Sequence, residues 1–184
     1  MLPPWDLAKL LGRYVAVVAA VVAALLVLDA VPWLLTGAGR GVVKHRSVEA
    51  AERALGATLL VPAFFPQSYR WPPAAIFTSL RPAPAAALVL APEGGTAGPL
   101  LFVQTLEGSA AVPEGLLPKG KEIHSVDFDL DGTPARMSDV VLPPDGTYHD
   151  VSFAAKGRHV VFRFQGDPVL ILKMAASLAR RGSG

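Results

Sequence analysis

The chain contains no cysteine. That excludes disulfides, iron–sulfur clusters, thiolate zinc sites and anchoring through a lipidated N-terminal cysteine. Charge is also scarce. Only 17% of the 184 residues are Asp, Glu, Lys or Arg, well under the usual quarter, and the net charge is +2. So balanced a chain is not expected to bind nucleic acid. No Gly-rich loop precedes a helix, as a phosphate site would require. Ser109 and Ser125 lie in no G-x-S-x-G elbow. The histidines, His45, His124, His149 and His159, show neither H-x-H nor H-E-x-x-H spacing. There is no internal repeat. With no constellation that carries chemistry, the chain reads as non-catalytic, with no metal and no cofactor.

One long apolar run is present. Residues 14–35 read YVAVVAAVVAALLVLDAVPWLL. As a helix this stretch is about 33 Å long, enough to cross a bilayer core of roughly 30 Å. Tyr14 and Trp33 stand near its two ends, where interfacial aromatics belong. The competing reading is a cleaved signal peptide with a small-residue site at Thr36, Gly37 and Ala38. The length of the core, and the apolar flank beyond Asp29, favour a transmembrane helix over residues 14–36. Asp29 inside the span costs free energy there unless it meets a partner or the headgroups. Asp29 and Trp33 are therefore the candidate partner-binding residues of the span. The lipid bilayer and integral membrane protein subunits are the expected partners. The flanking charges, Lys9 and Arg13 before, Arg40, Lys44 and Arg46 after, do not favour a translocated C-terminus.

Four segments follow from this division. They are a short tail over 1–13, the span over 14–36, a juxtamembrane linker over 37–46 and one domain over 47–184. Within the domain, Ser47 is a good N-cap for a helix over 48–55, and Gly56 is a natural stop. Pro62 and Pro66 each fix φ and keep the preceding residue extended, so the connection after the helix is irregular. Strands are expected over 75–80, 86–90, 100–106, 123–130, 135–141, 148–155 and 158–165, parted by turn clusters such as Asp131-Gly132 and Lys156-Gly157. Asp167 and Pro168 open a closing helix that runs to about Ala179. The expected fold class is α+β: one N-terminal transmembrane helix, then a curved antiparallel sheet flanked by a short N-terminal and a C-terminal helix.

The order of these motifs has a likeness. A helix ends in Ala54, Leu55 and Gly56. Pro62, Pro66 and Tyr69 make a P-x-x-x-P-x-x-Y pattern. The last helix closes on Met174, Ala175, Ala176, Ser177 and Leu178. This resembles an uncharacterised family of extracytoplasmic domains tethered by one transmembrane helix, some of which sit on anti-sigma-factor-like membrane proteins. The resemblance covers residues 47–179 and implies that the domain lies on the periplasmic side, against the charge count. The sequence departs from the pattern at Phe64-Phe65 and Gln67-Ser68. It also lacks the histidine and cysteine ligands of a cytoplasmic zinc-binding anti-sigma module, so a sigma-factor role does not carry over.

Three further clusters bear on sites. Asp127, Asp129 and Asp131, followed by Gly132, match the opening of an EF-hand loop, but position 12 is Ser138 where calcium needs a bidentate Glu. A strand with an Asp-Gly turn is the expected form. His124 and His149 could meet across a sheet, and His149 with Asp150 could form an oriented pair. Phe64, Phe65 and Trp71 concentrate aromatic surface on a proline-stiffened stretch and are the candidate partner-binding residues of the domain. The function expected from all this is a non-catalytic accessory or scaffolding subunit of a larger membrane complex, respiratory or photosynthetic complexes being examples. The alternative is an envelope sensor or ligand-binding module related to anti-sigma-type regulators.

Overall fold

A computed structural model describes residues 41–94, 98–108, 111–144 and 146–179. They belong to one compact unit, Gly41–Gly184. Ten elements follow in chain order: β1 (Val42–His45), α1 (Val48–Leu55), β2 (Ala75–Ser79), β3 (Ala85–Leu90), β4 (Leu100–Thr105), β5 (Lys121–Leu130), β6 (Thr133–Leu142), β7 (Gly146–Ala155), β8 (Arg158–Phe164) and α2 (Pro168–Ala179). All eight strands join in a single sheet of order β1-β2-β3-β4-β8-β7-β6-β5, antiparallel throughout. Two four-strand meanders thus meet at the β4–β8 pair.

This corrects the expected class. The fold is a predominantly β one, an eight-stranded antiparallel sheet with two short helices of 8 and 12 residues. The described residues are thus mostly β rather than α+β, and among them no helix is long and apolar enough to cross a membrane. The span expected over 14–36 lies outside the described residues. The reason for the β majority is visible in the strands. β5, β6 and β7 run to ten residues each. Two-residue turns join β5 to β6 and β7 to β8, and the longer connections between β2 and β8 form no helix among the described residues. One strand, β1, forms where a linker was expected. Its residues VVKH carry no alternation of their own, and pairing with β2 makes the strand, Val42 lying opposite Ser79 and His45 opposite Ile76.

The elements form for local reasons. Ser47 is extended, and its Oγ accepts from the Ala50 N–H at 3.2 Å, while Gly56 ends α1 in the left-handed region. Asp167 Oδ1 accepts the Val169 N–H at 2.9 Å at the start of α2. Asp131 and Gly132, with φ of 52° and 85°, and Lys156 and Gly157, with 50° and 72°, make hairpin turns in which both central residues are left-handed. That geometry matches the twist of the flanking strands.

Alternate residues face opposite sides of the sheet, and the two sides are covered differently. On the first side, Ala86, Leu88, Phe102, Val151, Phe153, Val160, Phe162 and Phe164 are buried beneath Ala51 of α1 and Ile171, Met174, Ala175 and Leu178 of α2. Phe102 stacks on Phe162 at 4.7 Å, and Phe153 lies 6.2 Å from Phe162. On the second side, a smaller cluster of Ala85, Ala87, Val103 and Val161 is capped by Leu116 from the β4–β5 connection. Gly120 lets that connection lie against β6. A Cβ there would sit 2.3 Å from a Val140 methyl and 2.8 Å from the Val141 carbonyl oxygen.

Candidate functional site

The segment between α1 and β2 has no regular structure, yet it is held along its length. Glu52 Oε1 accepts the Leu59 N–H at 2.7 Å. The buried Gln104 of β4 accepts the Leu60 N–H at 2.8 Å and donates back to the Leu60 carbonyl at 2.9 Å. Ser177 Oγ of α2 accepts the Ala63 N–H at 3.2 Å. Further on, Arg70 N–H donates to Ala91 O at 2.9 Å, and Glu93 N–H donates to Ser68 O at 2.7 Å. Tyr69, 7% exposed, belongs to the core, and burial pushes its hydroxyl above the usual phenol range. With its backbone fixed at these points and stiffened by Pro62 and Pro66, the segment holds its remaining side chains in set positions.

Those side chains are the predicted aromatics. Phe64 is 40% exposed and Trp71 43%. Phe65 is half-buried, packed on the first-side core, with its ring 4.7 Å from that of Trp71. Phe64 also forms one wall of an open groove of about 490 Å³, whose other walls are Leu130, Val169, Leu172 and Ala176, with Asp131, Lys173 and Ser177 supplying the polar edge. Val169 and Leu170, 52% and 38% exposed, extend the apolar surface along α2. The structure therefore places Phe64 at the groove and Trp71 on a second patch, and turns Phe65 inward as the support of Trp71. The groove walls from α2 were not singled out from the sequence. Their signal was there: residues 168–179 read PVLILKMAASLA, apolar on more sides than one core-facing stripe requires.

The remaining predicted residues resolve as follows. Asp29 and Trp33 lie outside the described residues, as does Ser109. The three aspartates do different work. Asp127 receives Arg136 Nε at 2.8 Å, and that guanidinium holds its carboxyl below the usual range. Asp129 Oδ1 accepts the Gly132 N–H at 2.7 Å, and Asp131 is a turn residue. Among the described residues no group of three His, Asp or Glu side chains is placed to hold a metal ion. His149 and Asp150 do not pair, because neighbours in a strand face opposite sides. His149 Nδ1 instead meets Asp139 Oδ1 at 2.7 Å, directly across β6–β7, and its ring lies 5.5 Å from Phe164. His124 stands opposite Asp139 on the other side of β6, so register sets the two histidines on either side of one carboxylate. Asp150 faces the second side and binds Arg163.

What this arrangement can do is dock. A fixed aromatic segment beside an apolar groove suits an apolar side chain or helix from another molecule. No protein-family model matches the sequence, and comparison with curated proteins and with solved structures yields no match.

Proposed function

We propose that this protein is a non-catalytic accessory subunit of a membrane assembly, held at the bilayer by the apolar run over 14–35 and docking integral membrane partners. The observation that carries the reading is Phe64. A large aromatic stands in contact with solvent on a backbone pinned by Gln104 and Ser177, beside a groove lined by Val169, Leu172 and Ala176. Apolar area kept exposed on a rigid frame lowers the entropy cost of binding and favours a partner over free solvent. Asp29, inside the apolar run, adds a polar contact for a partner's membrane segment. The resemblance to tethered extracytoplasmic domains agrees with a periplasmic position for residues 47–184.

The test is isolation of the full chain in mild detergent through a C-terminal tag, beside Phe64→Ser, Trp71→Ser and Asp29→Leu variants. The expected result is a stoichiometric set of integral membrane proteins with the parent chain, reduced in each variant. An isolated chain in every sample refutes the reading. The groove's volume lies within the range of small-molecule sites, which supports ligand binding as the second reading. A lipid or small molecule retained by the parent and lost in Phe64→Ser, without protein partners, would select it.

A further inference from the structure

The sheet has two outer edges, β1 and β5. β1 is four residues long, whereas β5 has ten, nearly all of them solvent-exposed, including Ile123 at 57% and Val126 at 43%. Among the described residues no strand pairs with the outer side of β5. Edges of this length are templates for pairing with another strand unless they are blunted. Here one end is blunted by a bulge: the register shifts between Glu122 and His124, so uninterrupted pairing with β6 runs from His124 toward the turn, with Lys121 and Glu122 paired beyond the shift. The pairable run is therefore His124, Ser125, Val126, Asp127 and Phe128.

The backbone orientation of this run follows from its turn. Leu130 and Thr133 close a two-residue hairpin at Asp131 and Gly132. In such a hairpin the closing pair is hydrogen-bonded and the bonded positions alternate along the strand. Phe128, Val126 and His124 thus turn their N–H and C=O groups toward β6. Ser125 and Asp127 turn theirs outward, away from the sheet.

We infer that β5 pairs antiparallel with β5 of a second copy of this chain, in the register centred on Val126. Centred there, Ser125 lies opposite Asp127 of the copy, and Asp127 opposite its Ser125. These are the outward-facing residues, so the two pairs exchange four backbone hydrogen bonds. On one side Val126 covers its own copy, and each His124 covers the half-buried Phe128 of the other. On the opposite side each Ser125 hydroxyl can donate to the copy's Asp127 carboxylate. No like charges stand directly opposite. The diagonal Asp127 carboxylates are each already held by Arg136 of their own chain at 2.8 Å. Moving the centre to Asp127 would set the two carboxylates face to face, which is destabilising. Moving it to Ser125 brings the irregular Ile123 into the ladder and leaves Phe128 beyond it. The partner is thus a second copy, recognised by a five-residue run that is complementary to itself under a two-fold axis. This inference does not depend on the membrane reading.

The absence of cysteine makes the test direct. Val126 and its copy form a non-hydrogen-bonded pair, with Cα atoms about 4.5 Å apart, a separation within the range a disulfide spans. Val126→Cys in the full chain, under mild oxidation, is expected to give a covalent dimer. Val43→Cys, on the other edge and 54% exposed, is expected to remain monomeric. Adding Ser125→Pro to Val126→Cys removes an outward N–H that β6 does not use, and is expected to abolish the crosslink while the far-ultraviolet circular dichroism of the chain is unchanged. Three outcomes would overturn the inference: no dimer from Val126→Cys, equal dimer from Val43→Cys, or a crosslink that survives Ser125→Pro.

Discussion

Arg163 and Asp150 form a two-pronged ion pair across β7 and β8, Nε to Oδ1 at 2.7 Å and Nη2 to Oδ2 at 2.6 Å, with only 6% and 15% of the two side chains exposed. The third arm, Nη1, donates to the Pro118 carbonyl. One guanidinium therefore joins two strands and the connection that covers the second side of the sheet. A planar five-donor group suits this work, since it satisfies a carboxylate and a carbonyl together.

Removing one partner of such a pair strands a buried charge. Asp150→Ala is expected to destabilise the fold by about 3 kcal/mol or more. The double change Asp150→Leu with Arg163→Met is expected to recover much of that loss, because the desolvation cost disappears with both charges. Chemical unfolding of the single and double variants, read by circular dichroism, checks both. A double variant no more stable than the single would refute the account.

Gln104 makes the matching test on the first side. Its amide serves both backbone groups of Leu60, and its Oε1 also accepts Arg158 Nη1 at 2.8 Å. Gln104→Leu keeps the volume but leaves those groups unpaired. The expected cost is about 2 kcal/mol, with faster proteolysis of the 57–74 segment than of the sheet. Unchanged proteolysis would show that Gln104 is not what holds the segment, leaving its other hydrogen bonds and packing to do so.

Phe64→Ser separates docking from folding. The side chain is 40% exposed, so stability should change by no more than about 1 kcal/mol. Partner capture should fall at least tenfold, as for an aromatic anchor worth about 1.4 kcal/mol or more. Equal capture by parent and variant would move the site away from the groove.

Acid should act first through His159. Burial pushes its pKa below the ordinary 6.5. On acidification the unfolded chain therefore takes up the proton before the folded one, and stability falls as pH drops below about 6.5. His159→Gln is expected to flatten the melting temperature between about pH 7.5 and 5.5. The Asp127–Arg136 pair works in a lower window. The folded carboxyl is held below the ordinary 3.8, so its contribution is present above that value and is lost as pH falls further. A His159→Gln profile parallel to the parent's would refute the His159 assignment.

Much of the local structure was legible in the residues. Ser47 and Gly56 bounded α1, Asp167 and Pro168 opened α2, and the two turn dipeptides placed their hairpins, because capping and left-handed turns depend on a few neighbouring residues. Seven strands lie close to their expected positions for the same reason. The class did not follow, since whether helices or strands dominate depends on how far each strand extends against its neighbours. Nor did β1, whose strand character comes from β2 thirty residues away. Sites behaved likewise. The concentration of aromatics at residues 64–71 was readable, since prolines and aromatics are adjacent in the chain, but which of them face solvent was not: Phe64 and Trp71 do, while Phe65 and Tyr69 turn inward. Three other features were not. His149 pairs with Asp139 rather than its neighbour Asp150, Arg163 reaches Pro118, and Val169 lines the same groove as Phe64. Each joins residues far apart in sequence through strand register and helix placement, which no local pattern encodes. The sequence alone determined an apolar run, a cysteine-free composition and the turns and caps. The tertiary structure decided which side of the sheet each polar group faces, and therefore which charges pair, which groove opens and which edge is left free.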